Sequence, residues 1–475
     1  MGLEEIFAEQ PIAGYPTSDL TLQSLTPHGK ISITDDANFT DYSLPGSGTE
    51  LDPYRIENYD ITVPDATGIT VRDTTKHFVI RNCYVDALST GIYIRDIAAD
   101  TAKLINNTCI FNGGTGIEVE TAEGVEIIDN TCSQNEGYGI LVNYSAHSII
   151  VDNNASFNSW AGIAMILDPL SVVSNNTCNN NDLGITTDEV ADVIMVDNTC
   201  NNNEEPGIEL WNSYNASLTG NTCTNNSYGI TLYYSGHAEL KENDCNNNDE
   251  SGIYLFSSPY AELTDNTCKQ NNQGIQISSS NYSSLTQNNC SDNVWWGIIM
   301  YSTDLCEIVE NYCSDTFLLA GIGLSSTSSS NTISNNTCVS NGYGILLEID
   351  SNANTIVFNL LQDNQHTGVH IDDANTNIIH HNDFVNNNGG GCEAYDSGAN
   401  NDWYDTATSE GNYWSSWGGF GEYDIDGTAG NTDPYPLSES VFIPEFSTGL
   451  QLLTFVVIVG LVSLTPYLFG KRMKK

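Results

Sequence analysis

A Gly-Ile step followed by alternating apolar residues recurs through most of this chain, and it constrains the fold more than any other feature. The step stands at Gly68, Gly91, Gly116, Gly139, Gly162, Gly184, Gly207, Gly229, Gly252, Gly274, Gly297, Gly321 and Gly344, and Gly368 continues it with Val369. Successive spacings run from 22 to 25 residues. Short period-two runs separated by Asn, Gly and Ser are strand signals. A unit of this length holds about three short strands and cannot bury its apolar face alone, so the units must stack.

The stack predicts an all-β chain, a single right-handed parallel β-helix solenoid of about fourteen coils, with neighbouring strands about 4.8 Å apart. Leucine-rich repeats would need a dense Leu lattice, and propeller blades are longer. Asn recurs at the fifteenth place: Asn82, Asn107, Asn130, Asn153, Asn176, Asn198, Asn221, Asn243, Asn266, Asn288, Asn311, Asn336, Asn359 and Asn382. Asn tolerates left-handed backbone and can bond from coil to coil, which predicts a structural ladder.

Two residues after a ladder Asn stand Cys109, Cys132, Cys178, Cys200, Cys223, Cys245, Cys268, Cys290, Cys313 and Cys338, with Ala155, Leu361 and Phe384 as equivalents. A place that accepts Ala, Leu or Phe is interior, so these thiols read as a buried stack, ahead of disulfides between neighbouring coils and of a thiolate metal chain. Cys83 falls one residue out of this register, and Cys306 and Cys392 lie off it. Sequons at Asn143, Asn154, Asn215, Asn225 and Asn281 fall in or near turns, which would permit glycosylation.

Sixty-one acidic residues against 13 basic ones give a formal charge of −48. Between Lys103 and Lys471 only Lys241 and Lys269 are basic. Such a surface excludes nucleic acid as a partner and repels polyanionic sugars. It also lacks the Arg and Lys that a uronate-cleaving lyase needs.

From 448 to 470 the chain is nearly all apolar and is followed by Lys471, Arg472, Lys474 and Lys475. That pattern predicts one C-terminal transmembrane helix, a cytoplasmic basic tail (471–475) and a body on the extracellular face. The opening MGLEEIFAEQPIAGYP has neither the basic start nor the apolar core of a secretory leader. The expected layout is an N-terminal segment and cap over 1–44, repeats over 45–400, a closing segment over 401–437 and a linker over 438–447.

The end segments, GSGTELDPYRIENYDIT from Gly46 and GNYWSSWGGFGEYDIDGTAGNTDPYPL from Gly411, resemble those of the NosD-like right-handed β-helix proteins common on archaeal cell surfaces. The resemblance covers about residues 28–437 and implies a capped solenoid, a fold shared with carbohydrate-binding proteins and sugar hydrolases. The stretch from Pro444-Glu445-Phe446 through the apolar run to the basic end is similar to a PEF-type sorting signal.

Outward positions of the middle coils carry Trp211, Tyr233, Tyr254, Phe256 and Tyr301, with Trp160 and Trp296 just before their Gly-Ile steps. An exposed aromatic stripe suits sugars or a protein partner, so these seven are the candidate ligand-binding residues. The competing reading is a glycoside hydrolase, which needs two carboxylates. Its candidates are Glu118 with Glu120 on one strand, and Glu209 near Asp188 and Glu189. Asp372-Asp373 is the only echo of a polygalacturonase-like acid cluster.

Two metal readings complete the expectations. Asp424, Asp426 and Asn431 could hold calcium in an oxygen-rich loop. His366, His370, His380 and His381, the only histidine cluster, could hold a transition metal of the kind the family's name implies. No cofactor is required by either binding or hydrolysis.

Overall fold

A computed structural model describes residues 25–441. The expected transmembrane helix over 448–470, the tail, the PEF motif and residues 1–24 lie outside the described residues. Among the described residues no helix is long and apolar enough to cross a membrane.

The described chain is an all-β, right-handed parallel solenoid of about fifteen turns, close to the fourteen expected. One sheet has sixteen strands, from Ile31–Ile33 to Ala394–Asp396, and a second has fifteen, from Tyr54–Glu57 to Ile378–His380. Every pairing within both is parallel and in register; Ile208, Ile230 and Ile253, for example, sit side by side. The third face departs in part from the expectation of three short strands per unit. It forms a five-stranded sheet at each end. Through the middle coils it narrows to single-residue bridges running Thr131, Asn154, Thr177, Thr199, Thr222, Asp244, Thr267, Asn289, Tyr312. There the Asn-rich segment turns too soon to pair further, with left-handed backbone at Asn180, Asn202, Asn225 and Asn247.

The repeated glycine serves close approach between coils. A Cβ on Gly229 would lie 2.3 Å from the carbonyl oxygen of Gly252 and 2.9 Å from the Cβ of Cys245. Its neighbour Ile230 points into a core filled by Ile, Leu, Val and Met from both sheets, fully buried along the axis.

The asparagine ladder is real and its bonding is regular. Asn243 Nδ2 donates to the Leu218 carbonyl at 2.9 Å and to Asn266 Oδ1 at 2.9 Å, while Asn243 Oδ1 accepts from the backbone N–H of Asn221 at 3.0 Å. The series runs from Asn107 through Asn382 and ends on Asn412. Asn82 is not in it. Cys83 takes that place, its N–H donating to Asn107 Oδ1 at 3.1 Å, while Asn82 lies in an outer column between Asn58 and Asn106. Val85, not Cys83, therefore aligns with Cys109.

Two further ladders complete the corners. Asn112, Asn135, Asn158, Asn181, Asn203, Asn226, Asn248, Asn271 and Asn293 form the second, each five residues after a ladder Asn, and Asn341, Asn364 and Asn387 resume it. Hydroxyls form the third: the N–H of Ser213 donates to Ser235 Oγ, that of Ser235 to Ser258 Oγ, and that of Ser258 to Ser280 Oγ. Beside it, Cys306 accepts from the N–H of Ser283 and donates its own N–H to Asn331 Oδ1, so it belongs to a turn column.

Asp168 replaces the hydroxyl in this third column. Its carboxyl is buried and accepts the N–H groups of Ser145 and Ile166. Burial, opposed by those two bonds, raises its pKa to about 7. A carboxyl raised on folding binds more protons folded than unfolded. The contribution of Asp168 to stability is therefore most favourable in acid, falls as pH rises above about 4, and levels off past about 7–8. Asp168→Ser is expected to flatten this slope and to raise stability at pH 8 by roughly 2–4 kcal/mol. Urea midpoints at pH 5 and 8 check it; equal slopes in both proteins would refute the assignment.

All thirteen cysteines are free, and twelve are buried. From Cys178 to Cys338 every coil carries one, and neighbours such as Cys200 and Cys223 touch. Burial pushes the thiols of Cys200, Cys223, Cys245 and Cys268 well above their usual range, which fits the expected interior stack.

The far end is closed by Trp403, Trp414 and Tyr423, with Trp414 stacked between Phe384 and Tyr423 at 4.0 Å from each. Buried carboxylates organise this cap. Asp396 accepts from the N–H of Gly398, Asn401 Nδ2 and Trp403 Nε1, all at 2.9 Å, and from Asn431 Nδ2 at 2.6 Å. Asp433 accepts the N–H of Asn412 and Trp414 Nε1 at 2.7 and 2.8 Å.

Candidate functional site

On the sixteen-stranded sheet the side chains that do not enter the core form two outward columns. One reads Thr186, Glu209, Thr231, Tyr254, Gln276; the other Asp188, Trp211, Tyr233, Phe256, Ser278. In-register pairing sets successive members about 4.8 Å apart. The rings touch: Trp211 stacks on Tyr233 at 4.4 Å and 20°, Tyr233 meets Tyr254 edge-on at 5.9 Å, and Tyr234 meets Phe256 edge-on at 5.6 Å. Tyr228, just before its Gly-Ile step, stacks on Tyr254 at 5.9 Å. Trp211, Tyr233, Tyr254 and Phe256 are thus brought into one cluster, and Tyr228 and Tyr234 join it unforeseen.

Glu209 stands inside this cluster, half-buried. Burial raises its carboxyl, Glu205 adds to that, and hydrogen bonds from Trp211 and Thr186 hold it down. Tyr233 is pushed up to about 12, first by burial and then by Glu209. Glu209 pairs in register with Thr186 and Thr231, so Asp188 lies in the other column, opposite Trp211, and Glu189 has turned off the strand. Thr231, beside Glu209, is fully buried and its Oγ1 has no hydrogen-bond partner.

A groove of about 390 Å³ opens two coils earlier, floored by Ala161 and Ala164 and flanked by Tyr138, Trp160, Asp182 and Asp188. Trp160 is 54% exposed and meets Tyr138 edge-on at 5.0 Å. From the coil of Tyr138 to that of Phe256 is five steps, roughly 24 Å of aromatic and acidic surface.

Trp296 does not belong to this surface. It is 7% exposed and packs with Ile299, Ala320 and Leu346 in a small outer core joined by Tyr301. The reason is Gly323: a Cβ there would lie 2.2 Å from the indole, which fills the space a side chain would take. Tyr301 is likewise held in this packing and is separated from Phe256 by Ser278.

Glu118 and Glu120 share a strand as expected, but both are engaged by the preceding coil. Thr90 Oγ1 donates to Glu118 at 3.0 Å; Tyr93 donates to Glu120 at 2.8 Å, and Arg95 lies 3.6 Å from it. Asp372 and Asp373 diverge, since Asp373 begins a left-handed turn.

The four histidines form two separate pairs. His370, on the first sheet, stacks on Tyr395 at 4.4 Å, and Tyr343 contacts both it and His366. Burial, then Asp372 opposing, holds His370 below its usual value. His380 ends a strand of the second sheet and His381 begins the turn after it, their Nδ1 atoms 2.7 Å apart, with His381 Nε2 3.0 Å from Glu410. Asp424, Asp426 and Asn431 do not converge either, because Asp424 pairs with Thr432, Asp426 bridges Tyr395, and the Asn431 amide is committed to Asp396. Among the described residues no group of three or more His, Cys, Asp or Glu is arranged to hold a metal.

Fold and site together define a capped parallel solenoid with one lateral aromatic–acidic face. The right handed beta helix region matches over residues 90–244, 206–360 and 238–407, more than half of the sequence, and the chain belongs to that family. No curated protein matches it. Among solved structures it is similar to the Dettilon tailspike protein gp208, at 16% identity and a TM-score of 0.48, with 62% of each chain covered. The periplasmic alginate epimerase AlgG is 14% identical at a TM-score of 0.35, over 62% of this chain and 82% of that one. The Azotobacter vinelandii mannuronan C-5 epimerase AlgE6 A-module is 11% identical at 0.30, over 78% and 98%. The chain thus spans less than two thirds of the tailspike's length.

Proposed function

We propose that this protein is a cell-surface solenoid that binds an extended glycan along the face from Tyr138 to Phe256 without turning it over. The observation that carries the reading is the contiguous cluster of Trp211, Tyr228, Tyr233, Tyr254 and Phe256 around a half-buried carboxylate. Apolar surface of this extent beside hydrogen-bonding groups is the chemistry of a sugar ring, which has an apolar face and a polar rim. Trp211→Ala is expected to weaken oligosaccharide binding at least about tenfold, consistent with a stacked aromatic anchor. Calorimetric titration over a panel of neutral and charged oligosaccharides tests this. Wild-type affinity in Trp211→Ala, or no binding across the panel, would sink the reading.

Glu209 favours a second reading, a glycoside hydrolase in which it is the proton donor, since a carboxyl raised by burial suits a general acid. Release of reducing sugar that disappears in Glu209→Gln would replace the first reading with this one.

The end motifs support NosD-like kinship, and the apolar run with its basic finish supports a membrane tie with the solenoid outside. A chain ending at residue 441 is expected to leave the membrane fraction entirely; retention there would count against the tie.

A further inference from the structure

We propose that the central cluster recognises an ammonium group, so that the glycan taken by this face carries unsubstituted amino sugars. The inference rests on the glycan-binding reading and names its ligand class.

Four observations converge on Glu209. Its carboxylate is half-buried under rings, where a bare negative charge is poorly solvated, yet no Lys, Arg or His forms an ion pair with it among the described residues. Lys241 and Lys269, the only basic residues of the middle coils, sit on the second sheet and in the following turn. Beside it Thr231 holds a buried hydroxyl with no partner, and Ser227 Oγ, next to Tyr228, is a second. Around these polar atoms stand Trp211, Tyr228, Tyr233 and Tyr254, whose rings are in mutual contact.

This is the composition of a cation site. Ring faces attract a cation through their quadrupole, and the attraction grows when the cation is shielded from water. A carboxylate that is partly desolvated gains more from a cation than an exposed one does. An ammonium also brings three N–H donors, and Glu209 and the orphaned Thr231 hydroxyl are acceptors side by side in the register. A carboxylated or sulfated sugar would meet repulsion from Glu209, Glu205 and Asp188. An N-acetylated one would carry no charge to answer Glu209. The whole chain, at −48, steers cations toward this face.

The test titrates the full chain with a glucosamine hexamer and with its fully N-acetylated counterpart at low salt, following Trp211 fluorescence and heat. The glucosamine hexamer is expected to bind at least about tenfold more tightly. Glu209→Gln is expected to remove that preference, by weakening the glucosamine hexamer's binding at least about tenfold relative to that of the acetylated one. Tetramethylammonium chloride should compete with the first ligand and not the second. Equal binding of both hexamers overturns the ammonium inference and leaves the glycan reading standing; binding of neither overturns both. A preference that persists in Glu209→Gln also overturns it, since general attraction to an acidic surface would then account for the difference.

Discussion

Asn243→Ala is expected to cost about 3–6 kcal/mol of local stability and to open the coils on either side. The substitution strands the N–H of Asn221 and the carbonyl of Leu218, both buried, and removes the bond that Asn221 Nδ2 donates to Asn243 Oδ1. Each orphaned buried group costs about 1–3 kcal/mol, and the lost amide leaves a void besides. Asn243→Asp is worse despite its shape. It places a charge where Leu218 O and Asn266 Oδ1 present only acceptors. Hydrogen exchange at Asn221 and Asn266 reads the effect coil by coil, which suits a fold stabilised between neighbours. Asn106→Gly is the control: it is exposed and left-handed, so it should change little. Equal protection in Asn243→Ala and wild type would show that the ladder is decoration.

Asp396→Ala should remove the C-terminal cap. The carboxylate holds four donors from Gly398, Asn401, Trp403 and Asn431, and it is 1% exposed. Leaving these unpartnered costs on the order of 4 kcal/mol or more. Because Asn431 reaches Asp396 from the closing segment, that segment would come away with Trp403. Limited proteolysis should then cut between 398 and 437 while the coils before 390 survive. An unchanged digest would show that Trp414 and Asp433 close the end unaided.

The solenoid was legible in the sequence because each coil repeats its constraints. The Gly-Ile step, the first Asn series and the Cys series are enforced by the same contacts in every turn. The second Asn ladder is equally written, five residues on, but it lies within Asn-rich turns, where a recurring Asn does not stand out from its neighbours. Asn82 and Cys83 slipped by one residue because the early coils are longer, so counting from glycine misplaces the corner. The site was less legible because outward positions repeat without a shared rule. Trp296 and Trp211 look alike in sequence, and only Gly323, one coil away, decides that the first is folded under. The histidines were grouped by nearness in the chain, whereas successive strands belong to different faces.

The thiol stack makes the rod a gauge of its own opening. A thiolate is the species that reacts with an alkylating reagent, and burial together with contact between neighbouring thiols suppresses it in the coils from Cys200 to Cys338. The stack contributes one thiol per coil at nearly equal intervals, and Cys306 adds a second in the coil of Cys313, so the number of adducts reports how many of these coils have come apart. Fraying from one end would therefore register as whole-number steps in mass, and collective melting as a single jump.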